Sequence, residues 1–596
     1  MKKKGGGKQY ISSWGILGTT WWFFYFTSVL VLHATNTINL SLILTIGLAA
    51  SILIPLPTTW PHVHAISFFR RSTTFLLSLV LLWHESALPD LATTWALLAD
   101  PVRRFSKDFI LQFIYQSFNP ITFLAGLSLF LICLLSATYR LRTLLPAVVT
   151  ASLLWAGFIS VRGYTNHDVY AHTAPSSASG IAADLADSSN ELTTSSTLAR
   201  ITTTDQTPTA FAAPQPPRNA TPDERLDFIY QTEAARKPIV LSVSSTPDMD
   251  IVILQICSLG WEDLDAAHID ANPFFSQFDF IFTQFNSADS YSHTAAIRLL
   301  RGLCGLTDHD SLFRDAPQEC YVLPSLRNLG YLTNTVFNHD GVYSGFTETV
   351  QRFGSIDAPI PVTSLYSTRI GFDGSPVYRD YDALSLWLQK RAGDNQPHAL
   401  FYNSIYLHAG DHEAADKDWW KRTNEANYNT AVTTMTGDLI HFFDDIKTTG
   451  RKTIVVLVGE HGAALKKTPL QLQAIREIPL PGITIVPAAV KIFGPGFNDR
   501  SRGLMLTNNQ PVSYTGLYTL INRLLLSSPT SPSLVSSSIF SRLPESLFFA
   551  TGDKGIAIQD TTKFWHRNGS RPFEVLPSFV TIPKAKLSTL FTPVAP

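Results

Sequence analysis

The chain has 596 residues, with 46 Lys and Arg against 47 Asp and Glu and a formal net charge of −1. That length has room for several domains, and the charge balance excludes both a globally basic nucleic-acid binder and a strongly acidic disordered chain. The near-zero total sums two unlike parts: residues 1–163 carry 12 basic and 4 acidic side chains and 7 of the 12 Trp, while the remainder carries 34 basic and 43 acidic.

Gln9 to Phe69 contains no Asp, Glu, Lys or Arg. A spanning helix needs about 20 mostly apolar residues, so this stretch predicts two, near Trp14–Leu32 and Leu40–Leu56. Charge-free Ile121–Leu135 and Leu145–Val161 predict two more, and Ser72–Leu88, shorter and with Glu85 near its end, is a fifth candidate. Residues 1–163 therefore read as an α-helical anchor of about five transmembrane helices in a lipid bilayer. Lys and Arg collect on the cytoplasmic side of such helices. Lys2, Lys3, Lys4, Lys8, Arg70, Arg71, Arg140 and Arg142 all fall inside if the N-terminus is inside and the spans number five. Arg103, Arg104 and Lys107 would then lie outside, beside Phe105–Tyr115, which suits an amphipathic helix on the membrane surface. No small-x-small cleavage site follows the first apolar run, so an anchor is predicted and not a removed signal peptide. Parity sets the compartment: five spans put everything after Val161 outside the cytoplasm, and four leave it inside.

Residues 164–217 are rich in Ser, Thr, Ala and Pro and read as a loosely ordered tether. Thr221 predicts an N-cap for a short helix over Pro222–Arg236. From 218 to 596 the pattern becomes α/β. Strand-like apolar runs occur at Ile251–Gln255, Phe280–Phe285, Leu332–Phe337, Ala399–Tyr406, Thr453–Val458 and Ala489–Phe493. Helical patterns lie between several of them, at Ala295–Leu303, Ser325–Leu329, Tyr381–Arg391, Thr423–Lys447 and Ser513–Leu526. That alternation predicts a mixed or mostly parallel sheet covered by helices on both faces. In such sheets chemistry gathers in the loops after the carboxyl ends of strands.

Candidate residues follow from that placement. Cys257 leaves the first strand where a thiolate would suit a metal, although a small buried hydrophobe is the plainer reading of one Cys. Glu460 and His461 leave the fifth strand together, ahead of Gly462, and suit a metal site. The hydroxyl-rich loop Asn286–Thr294 enters an apolar helix, whose start favours anions, but composition does not choose among Ser287, Ser290 and Ser292. His408, Asp411 and His412 follow another strand, and Arg476 follows Glu460 and His461. Cys133 lies in a predicted span. Pairing Cys304 with Cys320 would close a loop in an oxidising compartment and leave Cys257 single. Trp419 and Trp420 lie in a likely loop, where hydrophobic packing is the plainer reading of each.

The segments ILQICSLGWEDL, FNSADSYSHTAAIRLLRGLCG, LHAGDH and VVLVGEHGAAL, with REIPLPGITIVP after the last, resemble the alkaline phosphatase superfamily. Within it they resemble the membrane phosphoethanolamine transferases, and most narrowly those of bacterial cellulose-synthesis operons. Lipid A-modifying relatives typically carry Glu, Thr and Asp-His where Cys257, Ser292 and Glu460-His461 stand. The resemblance implies an alkaline-phosphatase-like catalytic domain in the periplasm, on an inner-membrane anchor. It implies Ser292 as nucleophile, Zn²⁺ held by Cys257, Ser292, Glu460 and His461, and a Cys304–Cys320 disulfide. His412, or second His408, is expected as general acid/base, and Arg476 as a stabiliser of phosphoryl charge. The implied reaction moves phosphoethanolamine from phosphatidylethanolamine to glucosyl 6-hydroxyls of cellulose through a phosphoethanolamine-serine intermediate, next to cellulose synthase subunits and without nucleic acid. The alternatives are a phosphodiesterase or sulfatase-like hydrolase of the same fold, and a non-catalytic scaffold for the synthase complex.

Overall fold

A strand covered on both faces must be apolar at nearly every position. Met249–Ile256 meets that condition: Ile251 and Ile253 enter one core, and Val252, Leu254 and Ile256 enter the other. The computed structural model describes residues 213–587, apart from 245–246, 469, 472, 496, 498–504, 528–536, 554 and 561–562. It also describes 591–593 and, earlier in the chain, 10–11, 56–57 and 73. Tyr10–Ile11 and Leu56–Pro57 pair as two short antiparallel strands. Apart from Leu56 and Thr73, the five predicted spans lie outside the described residues, as do Cys133 and the tether up to residue 212. Among the described residues no helix is long and apolar enough to cross a membrane.

Eight strands form the central sheet: β1 (Met249–Ile256), β2 (Phe280–Asn286), β3 (Leu332–Phe337), β4 (His398–Ser404), β5 (Lys452–Gly459), β6 (Ile485–Phe493), β7 (Met505–Asn508) and β8 (Phe591–Pro593). Their spatial order is β8-β7-β2-β6-β5-β1-β4-β3. Only β6 runs against its neighbours β2 and β5; the other pairings are parallel. The sheet is therefore mixed, as the alternation of runs predicts. Helices α1 (Pro222–Ala234), α3 (Ser292–Leu300) and α6 (Tyr514–Ser527) pack on one face. Helices α2 (Trp261–Ala266), α4 (Asp380–Arg391) and α5 (Asn424–Thr449) pack on the other. Each fully buried Leu, Ile, Val or Phe contributes about 1.5–3 kcal/mol, so the two cores supply most of what holds the sheet between its helices.

Local signals match where they carry a mechanism. Thr221 opens α1 with a capping box: Glu224 N–H donates to its hydroxyl at 3.3 Å, and its own N–H donates to the Glu224 carboxylate at 2.7 Å. Thr423 caps α5, which ends on Gly450 at φ 67°. The helix predicted from Ala295 begins at Ser292, because Tyr291 is extended (φ −124°, ψ 143°) and is the N-cap. The strand predicted to Tyr406 ends at Ser404. A second, antiparallel sheet of Phe549–Thr551, Gly555–Asp560, Lys563–Asn568 and Glu574–Val575 has no counterpart among the predicted strands. Its segments mix charged and apolar residues and do not stand out as apolar runs. Helix α1 docks on it through Arg225–Asp560 (3.0 Å) and Asp223–Arg567 (2.7 Å).

Candidate active site

β1 and β5 pair in parallel with Ile256 opposite Gly459. The next residues of each chain, Cys257 and Glu460-His461, therefore leave the sheet side by side. Ser292 joins them from α3 because the preceding loop is anchored at several points. Ser287 N–H donates to the Thr484 carbonyl (2.8 Å) and Ser290 N–H to that of Thr551 (3.0 Å). The buried Asp289 accepts from Thr294 Oγ1 (2.7 Å), Thr551 Oγ1 (2.8 Å) and Arg298 Nε (3.1 Å). That paired carboxylate sets the bend from which α3 starts.

The side chains converge closely. Cys257 Sγ lies 3.7 Å from Ser292 Oγ and 3.8 Å from His461 Nε2, and Ser292 Oγ lies 3.2 Å from His461 Nε2. Glu460 Oε2 is 3.6 Å from His461 Nε2, and the candidate ligand atoms of Cys257, Glu460 and His461 lie within 4.8 Å of one another. Those three residues are fully buried, and Ser292 is partly exposed. Of the loop serines, Ser287 donates to the Thr484 carbonyl (3.2 Å), and Ser290 Oγ is buried without a hydrogen bond. Of these three serines, Ser292, which composition left level with the other two, is the one whose hydroxyl lies within 4 Å of Cys257 and His461.

Burial governs the electrostatics. It pushes the Cys257 thiol up, with Glu460 adding to the rise and Arg476 opposing it. It raises Glu460, and it lowers His461, which Arg476 lowers further. His461 Nδ1 faces the Gly462 carbonyl at 2.9 Å, so Nδ1 carries the proton and Nε2 presents its lone pair to the cluster. Glu460 Oε2 accepts no hydrogen bond of normal geometry. A buried carboxylate oxygen without a hydrogen bond, beside a thiol and an imidazole lone pair, suits a cation. Sulfur, imidazole nitrogen and two oxygens are donors that fit zinc.

Arg476 reaches the same centre: Nε donates to the Ser290 carbonyl (3.2 Å), and Nη1 is buried without a hydrogen bond. His408 donates from Nδ1 to the Ala409 carbonyl (2.9 Å) and stacks on Phe372 with ring centroids 4.2 Å apart. Burial first, and Arg476 second, push His408 down to about 3, and His408 in turn lowers His461. Asp411 Oδ1 accepts from Phe372 N–H (2.9 Å) and lies 3.7 Å from His408 Nδ1. His412 instead stacks on Trp419 at 4.1 Å, with Nδ1 facing the Gly410 carbonyl (3.2 Å). Trp419 is buried and packs, and Trp420 lies under Lys421 Nζ at 5.4 Å. A disulfide joins Cys304 and Cys320, and Cys257 is the free cysteine among the described residues.

Three residues of the site escape the sequence reading. Asp263 accepts from Ala463 N–H (2.7 Å) and Leu465 N–H (2.8 Å), and burial raises it to about 7. It clamps the loop after His461, where a Cβ on Gly462 would stand 2.5 Å from Asp263 Oδ2. Asn403 Nδ2 donates to Glu460 Oε1 (3.2 Å), and His339 Nε2 donates to Asn403 Oδ1 (3.0 Å). The one signal for Asn403 is an amide interrupting the apolar run of its strand.

Residues 206–571 match the family model described as the cellulose biosynthesis protein BcsG C-terminal domain, and residues 22–158 match that of the N-terminal domain. The chain is similar to the cellulose biosynthesis protein BcsG of Escherichia coli (strain K12), 30% identical over 513 residues, 85% of this chain and 87% of that protein. It is similar to the protein of the same description from Salmonella typhimurium (strain LT2), 29% identical over 550 residues, 91% of this chain and 93% of that one. Among solved structures it is similar to a protein in the alkaline phosphatase superfamily from Vibrio parahaemolyticus, at 15% identity and a TM-score of 0.39, over 59% of this chain and 86% of that one.

Proposed function

The chain belongs to the family of the cellulose biosynthesis protein BcsG, and on that premise we propose that it transfers phosphoethanolamine from phosphatidylethanolamine to glucosyl 6-hydroxyls of cellulose. Residues 1–163 are its inner-membrane anchor, 164–217 a tether and 218–596 a periplasmic catalytic domain. Anchoring keeps that domain at the surface where the lipid donor resides, and it sits near the cellulose synthase subunits that extrude the acceptor. The single observation that carries the reading is the convergence of the Ser292 hydroxyl, itself accessible, with buried Cys257, Glu460 and His461.

Ser292 Oγ attacks the phosphorus of the donor. The Oγ–P bond forms, the P–O bond to diacylglycerol breaks, and the departing oxygen takes up a proton. A glucosyl 6-hydroxyl then attacks the phosphoethanolamine-serine, gives up its proton and releases Ser292. Zn²⁺ bound by Cys257, Ser292, Glu460 and His461 would supply Lewis-acid activation of the hydroxyl and neutralise phosphoryl charge. Arg476, whose Nη1 has no other partner, faces that charge as well. His408, like His412, is a candidate for moving the protons: its ring is stacked on Phe372 as that of His412 is on Trp419, and a charge on it would be felt at His461. The Nδ1 of His408 is committed to the Ala409 carbonyl, so Nε2 is the accepting atom. A phosphoryl anion beside His408 would raise its low pKa toward the working range.

The test is Ser292→Ala, with mass spectrometry of the cellulose made by cells carrying it. Loss of phosphoethanolamine from the polymer is expected. Modification at the normal level would leave only the scaffold reading, and free product without modified polymer in the wild type would indicate a hydrolase.

A further inference from the structure

The carboxyl edge of the sheet carries a buried polar chain behind the candidate ligands. β3, β4, β1 and β5 are neighbours in that order, and their register sets Phe337 opposite Asn403, Asn403 opposite Gln255 and Gln255 opposite Val458. His339 follows β3 and is buried, its ring parallel to Phe337 at 5.2 Å and edge-on to Phe346 at 5.3 Å. Gly341 turns back over it at φ 67°, where a Cβ would meet Thr347 Oγ1 at 2.0 Å, and donates its N–H to His339 Nδ1 at 3.0 Å. A donor facing Nδ1 leaves the ring proton on Nε2, which donates to Asn403 Oδ1 at 3.0 Å. With that oxygen engaged, Asn403 Nδ2 must point the other way. There it donates to Gln255 Oε1 and Glu460 Oε1, both at 3.2 Å. A flipped amide would set Oδ1 against a carboxylate and Nδ2 against an N–H, so the contacts on either side fix the orientation of Asn403, while Gln255 Nε2 is left without a hydrogen bond.

We propose that His339 and Asn403 are positioning residues for the metal centre: the imidazole fixes the amide, and the amide holds Oε1 of Glu460 so that Oε2 is presented as the ligand. This rests on reading Cys257, Ser292, Glu460 and His461 as a zinc site. Glu460 Oε2, without a hydrogen bond and 3.6 Å from His461 Nε2, is the atom left facing the cluster. Outer partners of this kind orient ligands and typically contribute about 10–100-fold to metal affinity. His339 touches no ligand itself. Its effect on the metal must pass through Asn403.

The full-length chain, purified in detergent and stripped of metal, is titrated with Zn²⁺ against a chromophoric chelator. His339→Ala and Asn403→Leu are expected to weaken Zn²⁺ binding by about 10–100-fold, and His339→Gln, whose amide nitrogen can replace the Nε2 donor, to stay within about threefold of wild type. A merely structural role would lower the melting temperature of the metal-free variants and leave the affinity of the folded fraction unchanged. Wild-type binding with unchanged affinity in folded His339→Ala or Asn403→Leu overturns the relay alone. A wild type that takes up no Zn²⁺ overturns the metal-centre reading, and the relay falls with it.

Discussion

Ser292 and Cys257 are a half-buried hydroxyl and a buried thiol under 4 Å apart, and their proposed roles separate under substitution. Cys257→Ala should reduce zinc from about one ion per chain to a small fraction, read by elemental analysis of the purified protein. An unchanged stoichiometry would remove Cys257 from the ligand set. His408 is held neutral, its pKa pushed down to about 3 by burial and Arg476. In the unfolded chain the same ring titrates near pH 6.5. The unfolded state therefore binds the extra proton first, and the stability this ring allows at neutral pH is lost as pH falls below about 6.5. The loss should amount to about 1–2 kcal/mol between pH 7 and pH 5. Denaturant unfolding at both pH values should show a shallower acid loss in His408→Asn than in the wild type, and identical slopes would contradict the burial argument.

At the scale of elements, the loop that delivers Ser292 depends on one enclosed ion pair. Arg298 Nε meets Asp289 Oδ2 at 3.1 Å with both side chains almost wholly buried, and Arg298 Nη2 bonds Thr551 Oγ1 at 2.9 Å. Arg298→Ala would leave the carboxylate buried without its cation, at a cost of about 3–5 kcal/mol in unfolding free energy. The loop after His461 depends on contact distance instead. Gly462→Ala places a methyl 2.5 Å from Asp263 Oδ2 and 3.1 Å from the Gly482 carbonyl, so about 1–3 kcal/mol should be lost and the thermal transition should fall. The Cys304–Cys320 bridge closes a separation of 16 residues just beyond α3. Replacing both cysteines by Ala should cost about 3 kcal/mol through the freed chain entropy of the unfolded state, and a melting temperature unchanged under oxidising conditions would speak against that.

For the whole molecule, the proposed function needs its two halves in different media. The +8 of residues 1–163 and the −9 of the remainder are what a cytoplasm-anchored membrane segment and an acidic external domain would carry. A reporter active only in the periplasm, fused after residue 165, should be active with five spans and silent with four. The disulfide belongs to the same argument, since such bonds persist in oxidising compartments.

Much of the fold was legible because its causes are local. Unbroken apolar runs mark strands covered on both faces, as in Met249–Ile256, and Thr221 and Thr423 announce their helices through hydroxyls that accept nearby backbone N–H groups. Cys257, Glu460 and His461 were visible because each follows such a run directly. The C-terminal antiparallel sheet was not, since strands such as Lys563–Asn568 alternate polar and apolar residues with little contrast to a loop. Ser292 was named by the resemblance of its motif and not by composition, because its position turns on a bend held by Asp289 and Arg298 with the distant Thr551. The alternation of elements, the two-part charge and the residue types able to hold a metal all follow from periodicity and side-chain chemistry, and so from the order of residues. Tertiary structure alone decided which strand ends are neighbours, and so which of those residues meet: His339, Asn403 and Glu460 are far apart in the chain and touch only because the sheet orders its strands β3-β4-β1-β5.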